Sequence, residues 1–345
     1  MSQTRRAGGV VQTISLMNRS MLSNPFGFCC LQLSAFVALV VVVCIQPECA
    51  AQESKKETEP TTTKTLLAKD KWPIRITYYK SQAGKDAPVV VLLHSIGGNQ
   101  LVWHNGFAEA LQQQGYAVIT FDFRKHGKSR PPKVSGDGKR TLRAKSDKAK
   151  KAGQDLKKND YERMVHFDLE AVKKFIYDQH QARNLNMRKL AIIATEMSTP
   201  IAVSFAWRDW LKKPYDDNPN PLFGTPRGQD VQALVLLSPT TSCPGVSTTQ
   251  PIKFLRQRKI SFLICVGSKD HLYRKTSKKL YKQLGGENQQ EGKERVYLRE
   301  YSVSLRGADL IGKNIKTEPF IFAFLDRHLK QRKIPWRDRK SPLMD

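Results

Sequence analysis

Glu196 is the residue whose type and position first suggest chemistry. It lies between an apolar run at residues 190–194 and a second apolar stretch that begins at Ile201 and continues at helical length. This pattern predicts a strand, a sharp turn and a helix, with the carboxylate in the turn. Ala194 and Ser198 are small, as the close approach of a strand and a helix requires. A carboxylate in such a turn can attack a substrate or bind a polar group.

The turn around Glu196 resembles the nucleophile elbow, G-x-S-x-G, of the α/β-hydrolase superfamily. Laid on that pattern, Ala194 and Ser198 take the glycine positions, and Glu196 takes the position of the nucleophilic serine. Some relatives of this fold use Asp at the elbow, but Glu is one methylene longer and places its oxygens differently. We therefore interpret Glu196 as a polar binding or structural residue, with a nucleophilic role as the alternative.

Two further segments resemble the same superfamily. Residues 94–98, H-S-I-G-G, follow an apolar strand at residues 89–93 and resemble H-G-x-G, with Ser95 in place of a glycine. The resemblance implies an oxyanion hole formed by the backbone amides of Ile96 and Met197. Residues 122–129 resemble D-x-R-G-H-G-x-S, a segment that is chiefly structural in the superfamily, so His126 is not expected to be catalytic.

The other two triad positions are Asp270 and Arg306. Residues 267–270 follow an apolar strand and resemble the G-x-x-D segment, whose Asp orients the catalytic His. In the loop where the superfamily carries that His, Arg306 precedes Gly307, and arginine cannot exchange a proton at neutral pH. We expect Glu196, Asp270 and Arg306 to form an ionic cluster in which two carboxylates surround one guanidinium with bidentate pairing.

Other hydroxyls and imidazoles near the predicted strand ends are candidates for a rewired site. They are Ser95, Ser198, Ser238, His94 and His271. We expect Ser198 to begin the elbow helix without capping the turn, so that its hydroxyl points away from the oxyanion amides. His94 belongs to the oxyanion loop, where the resemblance implies a structural role.

The charge balance favours contact with anions. The 345 residues include 58 Lys and Arg against 31 Asp and Glu, a formal net charge of +27. Residues 131–160 hold ten Lys or Arg, four Asp and few apolar residues, which predicts a basic insert. The insert is a solvated loop or a site for an anionic ligand or polyanion, and stacking on single-stranded nucleic acid is unsupported because the insert contains no aromatic residue.

The first residues predict export. Arg5, Arg6 and Arg19 precede an apolar run at about residues 31–45, and small residues follow Cys49. We expect a signal peptide over residues 1–51, cleavage near Ala51, and a periplasmic or secreted protein. The alternative is an uncleaved anchor, which would provide the chain's only membrane contact, but the run is short for a span of about 20 residues.

Apolar periodicity and motif order predict the domain organisation. A polar linker at residues 52–71 precedes a single α/β-hydrolase-like domain at residues 72–333, and a basic tail follows at residues 334–345. The resemblance implies a mostly parallel eight-stranded sheet flanked by helices on both faces. Only about twenty residues separate the strand at 231–237 from the next one, which leaves no room for a large cap domain.

Cysteine and histidine spacing gives no sign of a metal site or a cofactor, and we expect neither. Cys243 and Cys265 are the cysteines outside the predicted signal segment, and Cys265 lies in an apolar run, where it is expected to be a buried, unpaired thiol.

The sequence leaves three functions open, of which the third is polyanion binding by the basic insert alone, with the globular core only supporting it. The first is an exported protein of this fold that lacks the serine-hydrolase triad and binds or scaffolds an anionic partner. The second is an active hydrolase of ester or amide bonds that uses Glu196 or a rewired site by a non-serine mechanism. The small-molecule ligand cannot be deduced from the residues.

Overall fold

A computed structural model describes four segments of the chain, residues 60–131, 155–220, 223–258 and 260–344. The predicted signal segment, residues 52–59 of the predicted linker and residues 132–154 of the predicted basic insert lie outside them. Within these segments no helix combines the length and apolar character needed to cross a bilayer.

An eight-stranded, mostly parallel sheet organises the described residues, which confirms the predicted fold. The strands of the chain are β1 (Thr61–Leu67), β2 (Pro73–Tyr79), β3 (Val89–Leu93), β4 (Ala117–Phe121), β5 (Leu190–Thr195), β6 (Val231–Leu237), β7 (Ser242–Cys243), β8 (Val246–Ser247), β9 (Ser261–Gly267) and β10 (Val296–Tyr301). The sheet order is β1-β2-β4-β3-β5-β6-β9-β10, while β7 and β8 form a separate small hairpin. β1 and β2 pair antiparallel with each other, and β2 also pairs antiparallel with β4. The other neighbouring pairs of this sheet are parallel, so six strands run in the same direction: β4, β3, β5, β6, β9 and β10. The carboxyl ends of the parallel strands therefore meet at one edge of the sheet.

Helices cover both faces of the sheet, because the central strands are apolar on both sides. The helices are α1 (Phe107–Gln113), α2 (Lys158–Arg163), α3 (Leu169–Gln181), α4 (Thr199–Leu211), α5 (Thr249–Arg256), α6 (His271–Gln283) and α7 (Thr317–Leu325), with π-helical turns at Met164–Asp168 and Asp326–Lys330. Alternate residues of β3 face different helices. Val89 and Val91 pack in the core under α3, α4 and α5, whereas Val90 packs in the core under α1 and α7.

The predicted linker is wrong over its second half, because Thr61–Leu67 forms β1. This edge strand pairs antiparallel with β2 along its whole length, from Thr61 opposite Tyr79 to Leu67 opposite Pro73. Most of its side chains are exposed, so it lacks the apolar run by which the other strands could be recognised. Backbone pairing and β-branched threonines stabilise such an edge strand without a buried face.

The predicted basic insert ends earlier than expected. Lys158 begins α2, and the Asp160 side chain is buried and forms an ion pair of 2.7 Å with Lys125 Nζ. The carboxylate also accepts a hydrogen bond of 2.8 Å from the backbone N–H of Lys157, which fixes the start of the helix.

The predicted basic tail is also wrong, because residues 334–343 pack on the domain. The ring of Trp336 stacks on His180 with 4.9 Å between centroids. The guanidinium of Arg339 is buried and lies 2.5 Å from Asp230 Oδ1. Asp230 also pairs with the buried Lys173, which contacts Asp209 as well. Burial of the Arg339 charge is compensated by this network of opposite charges, so the segment is part of the fold.

Cys243 and Cys265 are both buried and unpaired, as the sequence predicts for Cys265. Burial raises the pKa of each thiol to about 12, so both remain protonated at neutral pH. They act as small apolar residues and contribute no reactive thiolate.

Removal of the Arg339 side chain should destabilise the whole domain. We expect Arg339→Ala to lower the free energy of unfolding by about 2–4 kcal/mol, because it leaves Asp230 buried with only part of its compensating charge. Chemical denaturation measures the effect, and Lys333→Ala, which removes an exposed charge just before the same segment, serves as the matched control. Equal stabilities of the two variants would show that the segment does not stabilise the domain.

Candidate functional site

The elbow geometry is present at Glu196, at the carboxyl end of β5. Its backbone φ is 45°, a left-handed conformation that a residue with a side chain rarely adopts. A short 3₁₀ turn, Glu196–Ser198, leads directly into α4. Two threonines hold the turn, because Thr199 Oγ1 and Thr240 Oγ1 donate hydrogen bonds of 2.6 and 3.2 Å to the carbonyl of Glu196. The chain thus keeps a strained presentation of the elbow side chain.

Ser198 does cap the turn, which corrects the expectation from the sequence. Its Oγ accepts a hydrogen bond of 2.9 Å from the backbone N–H of Thr195 and donates one of 2.7 Å to the carbonyl of Thr195. The hydroxyl of a small residue at this position can satisfy backbone groups that the sharp turn leaves free. Ser198 is fully buried and engaged, so its role is structural.

The Glu196 carboxylate contacts two loops at the edge of the sheet. Oε2 accepts a hydrogen bond of 2.8 Å from Ser95 Oγ, in the loop after β3. On the other side, a Cβ placed on Gly307 would lie 2.7 Å from Glu196 Oε1, and Gly307 itself has a φ of +55°. The carboxylate therefore fills the space beside Gly307, and Oε1 accepts no hydrogen bond from the residues that the structure describes.

The predicted oxyanion amides flank the elbow. Neither the N–H of Ile96 nor that of Met197 donates a hydrogen bond within the described segments, and both residues are half-buried. The loop that carries Ile96 is fixed by its neighbour Gly97, whose N–H donates a 3.0 Å hydrogen bond to His126 Nε2. Two backbone donors are thus left for a ligand, as an oxyanion hole requires.

Asp270 and Arg306 form an ion pair at the far side of the site. Arg306 Nε lies 2.9 Å from Asp270 Oδ2, and Asp270 is buried whereas the Arg306 side chain is 53% exposed. Oδ1 of Asp270 caps α6 by accepting a 3.4 Å hydrogen bond from the N–H of Tyr273. The Arg306 guanidinium also lies over the Tyr273 ring, 5.3 Å from its centroid.

The expected three-residue ionic cluster is therefore only half present. Asp270 pairs with Arg306 through a single nitrogen, without bidentate pairing, and Glu196 takes Ser95 as its partner. No nitrogen of Arg306 comes within 4.0 Å of the Glu196 carboxylate oxygens among the described contacts. The Glu196 side chain does not pair with Arg306, because the strained backbone of the turn directs it toward Ser95 and Gly307.

The histidines near the site are structural. His94 Nε2 accepts a 3.1 Å hydrogen bond from the N–H of Phe123, and its Nδ1–H donates one of 2.7 Å to the carbonyl of Ser95. His126 uses both ring nitrogens in the same way, on Gly97 and Arg124. Burial lowers the pKa of His94 to about 4, with a further contribution from the charge of His126, so the ring is neutral. His271 is exposed at the start of α6.

Sequence reasoning missed two residues that shape the site, Tyr273 and Thr240. Tyr273 lies near Glu196, Asp270 and Arg306, and its pKa is raised chiefly by burial and then by the charge of Glu196. Its position in the first turn of α6, three residues after Asp270, was a signal in the sequence. Thr240 gave no such signal, because its contact with Glu196 depends on how the β6 loop folds back. Ser238, with a φ of 48°, accepts a 2.9 Å hydrogen bond from the N–H of Gly307.

The site offers both hydrogen-bond donors and a hydrogen-bond acceptor. The amides of Ile96 and Met197 and the half-exposed guanidinium of Arg306 are donors, and the carboxylate of Glu196 is an acceptor. The amides and the guanidinium cannot accept a proton, and the Glu196 carboxylate is a weaker base than a neutral imidazole. Within the described segments no three acidic, histidine or cysteine side chains gather in a way that could hold a metal ion.

A family model described as "alpha/beta hydrolase fold" matches residues 88–187 of this chain. That range includes β3, the oxyanion loop and β4 and stops just before the elbow strand, so the match itself does not include Glu196, Asp270 or Arg306. No curated protein sequence gives a significant match.

Solved structures share this architecture. A thermostable carboxyl esterase from Bacillus coagulans aligns over 79% of this chain and 100% of its own, with a TM-score of 0.51 and 11% identity. An esterase from Pyrococcus furiosus aligns over 78% of this chain and 90% of its own, with a TM-score of 0.49 and 14% identity. At these identities the similarity to the Bacillus protein shows a common fold and nothing about substrates.

Acid should destabilise the oxyanion loop through His94. The pKa of the folded-state imidazole is about 4, below the ordinary 6.5, so the neutral ring contributes stability above pH 6.5 that is lost as the pH falls toward 4. At pH 5 the loss should reach about 2 kcal/mol. Chemical denaturation at pH 7 and pH 5 should show a smaller pH dependence for His94→Asn, whereas the exposed control His271→Asn should keep that of wild type. An unchanged pH dependence in His94→Asn would contradict this assignment.

Proposed function

We propose that this member of the α/β-hydrolase superfamily is an exported binding or scaffold protein without serine-hydrolase activity, whose partner is anionic. The observation that carries the proposal is the ion pair between Arg306 Nε and Asp270 Oδ2, at 2.9 Å. In a working triad that carboxylate orients a histidine. Here it holds a guanidinium, which stays protonated at any physiological pH.

The substitution at the elbow supports the same proposal. A serine in this position would need a base, and the glutamate that replaces it cannot become an alkoxide. The Glu196 carboxylate is restrained by Ser95 on one side and by Gly307 on the other. If the carboxylate attacked the acyl carbon of an ester, it would form a mixed anhydride and expel the alcohol, and a water molecule would then need activation to hydrolyse the anhydride and restore Glu196. Neither His94 nor His126 has a free ring nitrogen for that step.

The remaining groups favour a ligand with an anionic or carbonyl oxygen. Three groups can donate hydrogen bonds to a ligand, namely the amides of Ile96 and Met197 and the Arg306 guanidinium. Asp270 pairs with only one nitrogen of Arg306, so no carboxylate occupies all of these donors. Glu196 Oε1 adds one acceptor that favours a hydroxyl or amino group elsewhere on the ligand. The ligand therefore carries an acidic or carbonyl group together with a hydrogen-bond donor.

The partner of the whole protein is proposed to be a polyanion that contacts residues 131–160. The charge of +27 and the ten basic residues of that stretch support this choice. Export by a cleaved signal at residues 1–51 would place the protein outside the cytoplasm, where acidic glycans and anionic surfaces are accessible.

The alternative is an active hydrolase with a rewired site, and one contact favours it. Ser95 Oγ donates a 2.8 Å hydrogen bond to Glu196 Oε2, so a hydroxyl and a carboxylate base are already paired next to the Ile96 amide. In that mechanism Ser95 would attack an ester carbonyl while Glu196 accepts its proton and passes it to the departing alcohol. Water would then hydrolyse the acyl-serine, with Glu196 again accepting a proton and returning it to Ser95 Oγ. The weak basicity of a carboxylate makes this pair a poorer general base than histidine.

Hydrolysis of short-chain p-nitrophenyl esters decides between the two functions. We expect wild type, Glu196→Ala and Ser95→Ala to show the same rate as buffer, because the site lacks a histidine base and its carboxylate is too weak a base to activate a hydroxyl. The exposed Ser302→Ala is the matched control for the serine change. Turnover by wild type that falls at least 100-fold in Glu196→Ala or Ser95→Ala, but not in Ser302→Ala, would reject the binding function and support the alternative.

Retention on immobilised heparin tests the polyanion partner. We expect wild type to elute at a much higher salt concentration than an insert variant, because phosphate and sulfate contacts weaken steeply with ionic strength. In the insert variant six basic residues are changed to Gln: Lys139, Arg140, Arg143, Lys148, Lys150 and Lys151. A control with six exposed lysines of α6 and its neighbours changed, Lys269, Lys275, Lys278, Lys279, Lys282 and Lys293, carries the same loss of charge. Equal elution of the two variants would show that net charge alone, and not the insert, binds the polyanion.

A further inference from the structure

An apolar pocket opens at the edge of the sheet that β10 forms, away from the elbow. It lies between β9, β10 and α7 and has a volume of about 210 Å³. Leu263, Tyr297, Phe320 and Phe324 supply most of its apolar lining. An engineered cavity of about 150 Å³ with a similar lining binds benzene, so this pocket has room for one aromatic ring or a short alkyl chain.

Arginines border the pocket. Arg299 and Arg327 contribute to its wall, and the Arg299 guanidinium carbon lies 3.8 Å from the centroid of the Phe320 ring. A cation over an aromatic face is stabilised by the ring and keeps its charge exposed at the rim. The wall of an otherwise apolar pocket therefore carries positive charge.

A second, polar depression of about 190 Å³ adjoins the first and shares two of its residues. It is lined by Arg295, Arg327, Arg332, Ser261 and His328, of which Arg327 and His328 also line the apolar pocket. Ser261 begins β9 and Arg295 precedes β10, so this depression lies at the amino ends of the parallel strands, whereas Glu196 follows the carboxyl end of β5.

His328 links the two depressions and is held in a neutral form. Its ring nitrogens lie 3.1 Å from Ser261 Oγ and 3.0 Å from the Tyr297 hydroxyl, which donates a 2.9 Å hydrogen bond to the carbonyl of Glu294. Burial and then the charges of Arg327, Arg332 and Arg295 lower the pKa of His328 to about 4. The positive charges of three guanidinium groups thus disfavour protonation of the His328 ring.

Internal partners offset only part of this positive charge. The Glu294 carboxylate lies 3.6 Å from Arg327 Nη2, and Arg332 Nη1 donates a 2.6 Å hydrogen bond to the neutral Gln232. Arg327 Nη2 also donates a 3.2 Å hydrogen bond to the carbonyl of Gly292, which carries no charge. Glu294 is thus one carboxylate beside Arg295 and Arg327, which leaves a net positive charge next to the apolar pocket. An anion bound there would form charge-assisted hydrogen bonds, which are stronger than those between neutral groups.

We propose that these adjoining depressions bind a small amphipathic anion. An aromatic ring or short alkyl group would occupy the pocket formed by Leu263, Tyr297, Phe320 and Phe324, and a carboxylate, phosphate or sulfate group would contact Arg295 and Arg327. The site is separate from Glu196 and its function does not depend on that of the elbow.

Calorimetric titration of the purified full chain with 3-phenylpropionate tests the proposal. We expect saturable binding of 3-phenylpropionate and at least tenfold weaker binding of 3-phenylpropan-1-ol, which lacks the charge, and of acetate, which lacks the ring. Arg327→Gln and Arg295→Gln should each weaken the binding of 3-phenylpropionate at least fivefold. Arg258→Gln is the matched control, because Arg258 is an exposed arginine that also lies over an aromatic ring, 4.5 Å from the centroid of Phe254.

Several results would overturn the proposal. If the alcohol binds as tightly as 3-phenylpropionate, the pocket is merely apolar, and if acetate does, the site is merely a basic surface. If Arg258→Gln loses as much affinity as Arg327→Gln, binding depends on overall charge. If millimolar 3-phenylpropionate in tenfold molar excess over the protein gives no heat of binding, no site exists. Thermal unfolding of each variant, compared with wild type, separates loss of binding from loss of the fold. If Arg327→Gln unfolds early, Arg295→Gln carries the test, and its binding of 3-phenylpropionate should still be at least fivefold weaker than that of wild type.

Discussion

The backbone of Glu196, held at a φ of 45°, is the constraint on which the site depends. β5 ends and α4 begins within a few residues, so the side chain at the turn must point out of the sheet edge between the loops that follow β3 and β10. The strain is maintained by Thr199 and Thr240, which bind the Glu196 carbonyl, and by Ser198, which satisfies the backbone of Thr195. A strained elbow of this kind usually serves to present a reactive group. Here the same geometry presents a carboxylate.

Two changes of charge then account for the rest of the site. Glutamate in the turn takes its hydrogen bond from Ser95, and this serine replaces a glycine of the superfamily pattern, so the two substitutions fit each other. Arginine in the β10 loop pairs with Asp270, which removes the need for a histidine to satisfy that buried carboxylate. Gly307 must remain a glycine because Glu196 occupies the space beside it. The amides of Ile96 and Met197 donate no hydrogen bond within the described segments, and Arg306 stands beside Asp270 where a catalytic site would need a base. This combination is the basis of the proposed binding role.

The sequence predicts the central strands and the order of the motifs because both depend on local patterns. Continuous apolar runs such as residues 89–93 and 233–237 identify strands buried on both faces. β1 was not predicted from an apolar run, because an edge strand is stabilised by backbone pairing and needs no apolar face. The packing of the C-terminal segment was not predicted either, because the partner of Arg339 is Asp230, which is more than one hundred residues away in the chain. The position of Glu196 was predictable, but its partner was not, since the choice between Arg306 and Ser95 depends on side-chain direction in a strained turn.

The most direct measurement is ester hydrolysis by a chain in which the two substituted triad positions are restored, Glu196→Ser together with Arg306→His. If the site is a hydrolase site that lacks only its nucleophile and base, the double variant should hydrolyse p-nitrophenyl acetate at least tenfold faster than either single variant, since Asp270 and the amides of Ile96 and Met197 are already in place. The rate of wild type should equal that of buffer. Hydrolysis by wild type above the rate of buffer would contradict the account, because the existing glutamate and arginine would then be performing the chemistry.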